Sequence, residues 1–437
     1  MSKPIFIGHT RFSVYSYGSK SFNATQDSRG KGARFSEQEY ADWLYGEERL
    51  APRAEIFTSL SLPQLHQASQ DHHLAHFVSF SPSLPDTYKT LLFEAAERYD
   101  FLHLNETTEE ATTLPPEKLI RRAFEIFGIN GGLFGAFRLD DDDLLSVNYF
   151  NRMAPYLTAE HVGWWVSPGL GFAAVRDGSN LIYTQTHYYP KSAFGPLCIG
   201  KLSETGAIEG ITTPKHTKLD RRTPTVLDSR RPMFFHIRHR GQDSSLDGEV
   251  TPFFVETLNR MTRRSEGRVE LKTVYDEFPA LQGHVNTTPG TLQYAQTSIA
   301  DQKLIRGGKE VSWSTPGPVS LELRLTGQRL RSRELRLRIS VDDSTQGKRL
   351  PAEQEKIFLE KARLNHTQGK GDYWTWMPPQ KDGRKEVVLA LEPPPGMRIT
   401  SVRLEKAKER DLRIESFTLY ALEQEAHTSL SGEERTA

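Results

Sequence analysis

Four consecutive aspartates, Asp140, Asp141, Asp142 and Asp143, are the residues of this chain whose types and spacing point most directly to chemistry. Carboxylates packed side by side repel one another, and a divalent cation removes that repulsion. Hard ions such as Mg2+ and Mn2+ take oxygen ligands and commonly bridge one or two carboxylates to the phosphates of a substrate. The same residues also suit a solvated acidic loop, or a helix N-terminus where the macrodipole favours acids. Position favours the metal reading. Gly132 to Leu139 (GLFGAFRL) reads as a strand that runs straight into the aspartates, and open α/β sheets bind ligands at the ends of their strands. Arg138 can pair with a diphosphate or simply neutralise the acids beside it. Arg11, just after the first strand, is open to the same two readings: a diphosphate contact or a surface charge.

The elements that must position these residues are legible in outline. Pro4 to Gly8, His76 to Phe80 and Phe101 to Leu104 read as short buried strands. Between them, Ser36 and Glu39 have capping-box spacing ahead of Tyr40, Trp43 and Leu44. Asp86 can cap a helix carrying Tyr88, Leu91, Leu92 and Ala95, and Pro115-Pro116-Glu117 opens another that Gly128 ends. Alternation of strand and helix implies a mostly parallel, Rossmann-like α/β sheet covered on both faces. From about residue 160 the rhythm changes to strands at 161–166, 171–175, 181–183 and 232–237, with a helix over 251–264. The last third alternates strictly, as in Leu335-Arg336-Leu337-Arg338-Ile339, which marks antiparallel strands burying one face. The expected domains are therefore an α/β unit over 1–280, an all-β sandwich over 290–427 and a disordered tail over 428–437.

The acidic segment Arg138-Leu139-Asp140-Asp141-Asp142-Asp143 resembles the RLDxDD signature of the rhamnosyltransferase family of bacterial glycosyltransferases. Thr10-Arg11-Phe12-Ser13 is similar to that family's TRFS segment, and Glu48 to Phe57 (ERLAPRAEIF) to its RL…RF segment. Leu84 to Tyr88 resembles its LPxxY, and Phe235 to Ser244 is a looser match to a closing segment that contains a His. The resemblance spans residues 4–245 and nothing in the last third. It implies a GT-A fold binding a nucleotide sugar at the strand ends, with a DxD-type motif that holds Mn2+ or Mg2+ against the donor's diphosphate. Carried onto this chain, it makes Asp140, Asp142 and Asp143 the metal candidates, with His239 as a further ligand or a contact to the leaving diphosphate. Arg11, Arg138, Asp140 and Asp141 become the donor-binding candidates. His236 reads as a strand residue, and Asp228, Asp243 and Glu249 are the acids open to a general-base role.

Other features read as structural. Trp164-Trp165 suits a core aromatic pair better than a sugar-stacking platform. Ser167 to Gly171 lacks the Lys of a phosphate loop. Tyr373-Trp374-Thr375-Trp376 invites a sugar-binding reading, with one tryptophan in the core, and the arginines Arg324, Arg336, Arg338 and Arg403 read as a solvated sheet face.

Composition narrows the partners. With 56 Lys+Arg against 56 Asp+Glu, there is no general attraction to nucleic acid or anionic membrane. One cysteine, Cys198, excludes an internal disulfide framework. No run approaches the ~20 apolar residues of a membrane span, and the N-terminus does not read as a signal peptide. The expected setting is cytoplasmic, or peripheral to the inner face of the membrane. The leading expectation is a metal-dependent glycosyltransferase moving sugar from a nucleotide donor to a glycan or lipid-linked acceptor in cell-envelope or capsule synthesis. Its rivals are a catalytically inactive glycan-binding scaffold and a metal-dependent phosphohydrolase.

Overall fold

The computed structural model describes residues 3–19, 25, 35–109, 113–242, 252–290, 292–297, 302–303, 309–315, 317–343, 349–366, 372–381, 385–408 and 412–422. Asp243, Glu249 and the expected tail at 428–437 lie outside the described residues. The chain divides into two compact units, one formed by residues 1–174, 184–247 and 264–285, the other by 175–183, 248–263 and 286–437.

The strands of the N-terminal region are β1 (Ile5–Arg11), β2 (His73–Phe80), β3 (Leu102–Glu106), β4 (Gly132–Arg138), β5 (Asp143–Leu145), β6 (Trp165–Pro168) and β7 (Leu170–Asp177). They continue with β8 (Asn180–Tyr188), β9 (Leu197–Leu202), β10 (Ile208–Glu209), β11 (Thr225–Asp228), β12 (Phe234–Arg238) and β13 (Ser265–Arg268). Eight of them form one sheet in the order β11-β6-β9-β4-β1-β2-β3, with β10 on β9. The pairs β11–β6, β4–β1, β1–β2 and β2–β3 are parallel. Only β9 runs against its neighbours β4, β6 and β10. β1 and β2 are buried along nearly their whole length, as strands covered on both faces must be.

Helices make the crossovers. The capping box of Ser36 and Glu39 opens Glu37–Tyr45. Pro85, rather than Asp86, takes the N-cap position of Asp86–Arg98, leaving Asp86 in the first turn where the dipole favours an acid. Glu117–Phe127 buries Leu119, Ile120, Ala123 and Phe124, and Gly128 ends it at φ 64°, a left-handed conformation that costs glycine little.

Connectivity locates the crevice. From β1 the chain moves outward to β2 and β3, then returns to place β4 on the other side of β1. The C-terminal ends of β1 and β4 therefore flank the topological switch point, where such sheets bind ligands. Gly8 lies in the middle of β1 because a Cβ there would run into the His76 and Phe137 rings.

A second, five-stranded sheet has the order β13-β8-β7-β12-β5. The sequence pattern suggests one mostly parallel sheet over this region, whereas the structure divides the strands between two. The turn Asp140–Asp142 is the passage from one to the other, since β4 belongs to the first sheet and β5 to the second. The strand expected over 161–166 begins only at Trp165: Ala159–His161 is a 3-10 turn, and Gly163 at φ 88° interrupts extended backbone.

Among the described residues, the C-terminal region is all-β apart from one helix, Ala352–Ala362. Its strands are β14 (Leu292–Thr297), β15 (Gln302–Lys303), β16 (Lys309–Thr315), β17 (Val319–Gly327), β18 (Leu335–Asp342), β19 (Asn365–His366), β20 (Asp372–Trp376), β21 (Glu386–Leu391), β22 (Arg398–Lys406) and β23 (Leu412–Ala421). They form two sheets, β14-β23-β17-β21 with β15 on β23, and β16-β22-β18-β20-β19. Leu321 and Leu323 of one sheet and Leu337 and Ile339 of the other lie in a single core, with Phe358 of the helix among them. Period-two alternation turns Arg336 and Arg338 outward from the same strand. Among the described residues, no helix is long and apolar enough to cross a membrane.

Candidate functional site

Each of the four aspartates has an Arg or His partner, and Asp141 and Asp142 share Arg53. Asp140 is held by Arg138, whose Nε and Nη2 donate to the two carboxylate oxygens at 2.7 and 2.8 Å. Asp141, 2% exposed, is ion-paired with Arg53. Asp142 is 5% exposed and lies 3.2 Å from Arg53 Nη2. Its Oδ2 also stands 3.1 Å from His239 Nε2 and accepts from Gln242 Nε2 at 3.1 Å. Asp143 faces His236, Oδ1 to Nδ1 at 2.7 Å.

Pairing of β12 with β5 explains the histidines. The register sets His236 opposite Asp143, so the chain leaving β12 carries His239 and Gln242 back to Asp142. Arg53 comes from the helix Glu47–Glu55, where Arg49 and Arg53 stand one turn apart and both are 7% exposed. Arg49 donates to Ser13 Oγ at 2.8 Å and lies 4.7 Å over the Trp43 ring. Ser13, just past β1, is in a left-handed conformation at φ 44°, unusual for a residue with a side chain. Arg11 ends β1 at the same edge of the sheet.

These surroundings divide the acids electrostatically. Burial alone would raise the Asp142 carboxyl, but the Arg53 guanidinium, His239 and Gln242 outweigh it and hold Asp142 ionised, well below the usual carboxylate range. Burial pushes Asp141 up to about 6 despite Arg53. Burial, then the Asp142 and Asp140 charges, raises Asp143 well above its ordinary value, while burial lowers its partner His236 well below. Both shifts favour a neutral carboxyl–imidazole pair over an ionic one.

A second buried chain of hydrogen bonds fixes the backbone just ahead of the acids. Thr10 Oγ1 donates to Leu139 O at 2.8 Å. Its hydrogen is thereby used, so His76 Nε2, 2.8 Å away, is the donor to that hydroxyl. His76 is fully buried, and desolvation pushes it down to about 3, with His9 and His103 adding to the effect. A histidine depressed on folding gives stability that is present above its unfolded value near 6.5 and lost as pH falls toward the folded one. Between pH 7 and 4 this contribution falls by roughly 3 kcal/mol. His76→Gln keeps a donor to Thr10 and takes up no proton. Urea denaturation across that range is expected to show the gap between wild type and variant narrowing as pH falls; a constant gap would mean His76 titrates normally.

Other candidates lie elsewhere. Asp228 ends β11, accepts from Arg230 Nη2 at 2.7 Å and from Tyr156 Oη at 3.0 Å, and is lowered chiefly by the Arg230 hydrogen bond. Trp165 is buried and donates to Thr212 Oγ1 at 3.1 Å, and Trp164 packs against the core. Cys198 is buried in β9, its thiol pushed up to about 11 by desolvation. Arg53 and Gln242 were not among the sequence candidates. A clue to Arg53 was available in the i, i+4 spacing of two arginines beside the apolar Leu50 and Ala54.

A family model described as "Putative rhamnosyl transferase" matches residues 6–248, more than half of the chain. The chain belongs to this family. The rhamnosyl transferase match covers every part of the acidic site: the end of β1, Arg53, the four aspartates, His239 and Gln242. No curated protein matches the sequence. Among solved structures, residues 1–349 of S. aureus TarS in complex with UDP-GlcNAc align at 11% identity and a TM-score of 0.21. That alignment covers 61% of this chain and 68% of the TarS chain, a likeness too slight to add to the family match.

Membership of a transferase family raises the question of a divalent ion. Among the described residues, no three His, Cys, Asp or Glu side chains already converge as ligands. Asp142 and His239 are nevertheless adjacent, and two buried oxygens beside them, Asp141 Oδ2 and Gln242 Oε1, lack hydrogen-bond partners. Such a sparse, oxygen-rich set suits Mg2+ or Mn2+, which bind through one or two carboxylates plus substrate phosphates rather than in an all-protein cage.

Proposed function

We propose that this chain is a GT-A-type, divalent-metal-dependent glycosyltransferase that moves a sugar from a nucleoside-diphosphate donor to a glycan or lipid-linked acceptor. The observation that carries the reading is the place of the acidic turn. It lies at the switch point between β1 and β4, with Asp142 ionised and His239 beside it. Asp142 and His239 would hold the ion, with Asp140 as a third ligand and its partner Arg138 beside the diphosphate. When bound, the ion acts as a Lewis acid for the negative charge that builds on the leaving diphosphate. Arg138 and Arg11 stand at the same sheet edge and can share that charge. Arg53 holds Asp141 and Asp142 in place and keeps Asp142 ionised. The Asp143–His236 pair lies behind them and fixes β12 against β5.

The catalytic assignment belongs to residues 1–280, and the β-sandwich of 290–427 is assigned carbohydrate binding or acceptor positioning. A cytoplasmic setting at or near the inner membrane face, in envelope or capsule synthesis, fits an acceptor carried on lipid. The test is thermal unfolding of the full chain with Mn2+ or Mg2+ and UDP, dTDP or GDP. At least one nucleoside diphosphate is expected to raise Tm only when the ion is present. No metal-dependent shift with any of them would sink the proposal.

A further inference from the structure

The last third of the chain lies beyond the family match and carries a cavity of its own. It has a volume of about 500 Å3 and is lined by Gln328, Arg329, Leu330, Arg331, Ser332 and Pro379. These residues belong to the connection from β17 to β18 and the segment that follows β20. Arg329 and Arg331 are exposed, while Leu330 between them is fully buried and anchors the loop.

The loop is held rigidly. Leu330 N donates to Gln380 Oε1 at 3.2 Å, and Gln380 N donates back to Leu330 O at 3.0 Å. Arg329 Nε donates to Gln380 O at 2.7 Å. Arg331 N donates to Oε2 of the buried Glu334 at 2.8 Å. The backbone of this rim and the Arg329 guanidinium are thereby fixed, which lowers the ordering cost of binding an anion there.

The strand that leads into Pro379 carries an aromatic face. Arg336 of β18 pairs with Trp376 of β20, three residues before Pro379. Trp374 and Trp376 both point away from the core, half-buried, with ring centroids 5.7 Å apart and nearly perpendicular planes. Arg336 lies 5.7 Å over the Trp374 ring and donates to Glu405, as does Arg338. The sequence pattern places one tryptophan of this pair in the core; strand alternation turns both outward and sends Tyr373 and Thr375 inward instead. Rings beside planar hydrogen-bonding groups suit the apolar face and the hydroxyls of a sugar, while arginines suit a carboxylate or phosphate.

We propose that this cavity and the Trp374–Trp376 face form a binding site for an anionic glycan, a chain of sugar units bearing carboxylate or phosphate groups. The arginine rim takes the anionic group, and the tryptophan face takes the adjoining ring. This site does not depend on the transferase reading, and either can fail without the other.

Calorimetric titration of the full-length protein tests it with four probes at moderate salt: an oligogalacturonate, a phosphomannan, maltohexaose and polyaspartate. Binding of the oligogalacturonate is expected if the group is a carboxylate, and of the phosphomannan if it is a phosphate. Neutral maltohexaose and sugar-free polyaspartate are expected to bind at least tenfold more weakly than the better anionic chain. Arg329→Gln/Arg331→Gln and, separately, Trp376→Leu are expected to weaken that binding at least tenfold with unchanged circular dichroism. Asp142→Asn is expected to leave it unchanged. Failure of both anionic chains to bind, equal binding of polyaspartate, or loss of binding in Asp142→Asn with retention in the arginine variant would each overturn the proposal.

Discussion

Arg53→Met is expected to destabilise the protein by about 3–5 kcal/mol, the cost of removing one partner from a buried charged cluster. The guanidinium is 9% exposed as a side chain and touches two carboxylates that are themselves nearly inaccessible. Methionine restores much of the apolar stem, so the loss measured is mainly that of the charge and its hydrogen bonds. Asp141 and Asp142 would then face each other in a desolvated site with His239 and Gln242 as the remaining side-chain donors to Asp142 among the described residues. Urea denaturation of wild type and variant at neutral pH measures the effect. A difference below 1 kcal/mol would mean that the acids find another counter-charge or that water reaches them. Arg53→Lys should recover only part of the loss, because a point charge cannot bridge two carboxylates as a planar fork does.

Asp142→Asn should lower sugar transfer by roughly 10²–10³-fold, the usual effect of deleting one preorganised electrostatic contact in a closed site. It should also abolish any metal-dependent rise in Tm with nucleoside diphosphate. Asparagine keeps the size of the side chain and an oxygen that can accept from Gln242, so the fold should persist. The stability loss should be smaller than for Arg53→Met, since Asp141 still pairs with the guanidinium. Side-by-side measurement separates the two roles. On the proposed reading, Arg53 is primarily a structural charge and Asp142 a contact to the reacting complex. Unchanged metal-dependent nucleotide binding in Asp142→Asn would remove this residue from the site.

The sequence revealed what is local. The capping box of Ser36 and Glu39, the terminating Gly128 and the alternation of Leu335 to Ile339 each depend on neighbours a few residues away, and each has the local form expected of it. The four aspartates were conspicuous because they are consecutive. What joins them to the rest was hidden, because those contacts are long-range. Arg53 meets Asp141 across 88 positions and Gln242 meets Asp142 across 100. Both depend on which strands pair, and the β5–β12 pairing involves a strand of three residues with too little sequence to declare itself. The division into two sheets was missed for the same reason. Short strands bounded by Gly and Pro give direction and burial but not partners.

One further feature bears on how the acidic turn is held. Between the helix Glu47–Glu55 and the helix Leu62–Ala68 the chain forms a π-helical segment, Ile56–Ser61, so that the three make one rod. Bonds from i to i+5 slow the angular advance of each residue relative to an α-helix. The segment thus acts as a phase shifter between two stations. Upstream, Arg53 grips the side chains of Asp141 and Asp142; downstream, Ser61 Oγ donates to the Asp143 carbonyl at 3.0 Å. One continuous helical stretch therefore contacts both ends of the turn. A small roll of the rod would loosen or tighten the two grips together, as a cam moves two followers on one shaft.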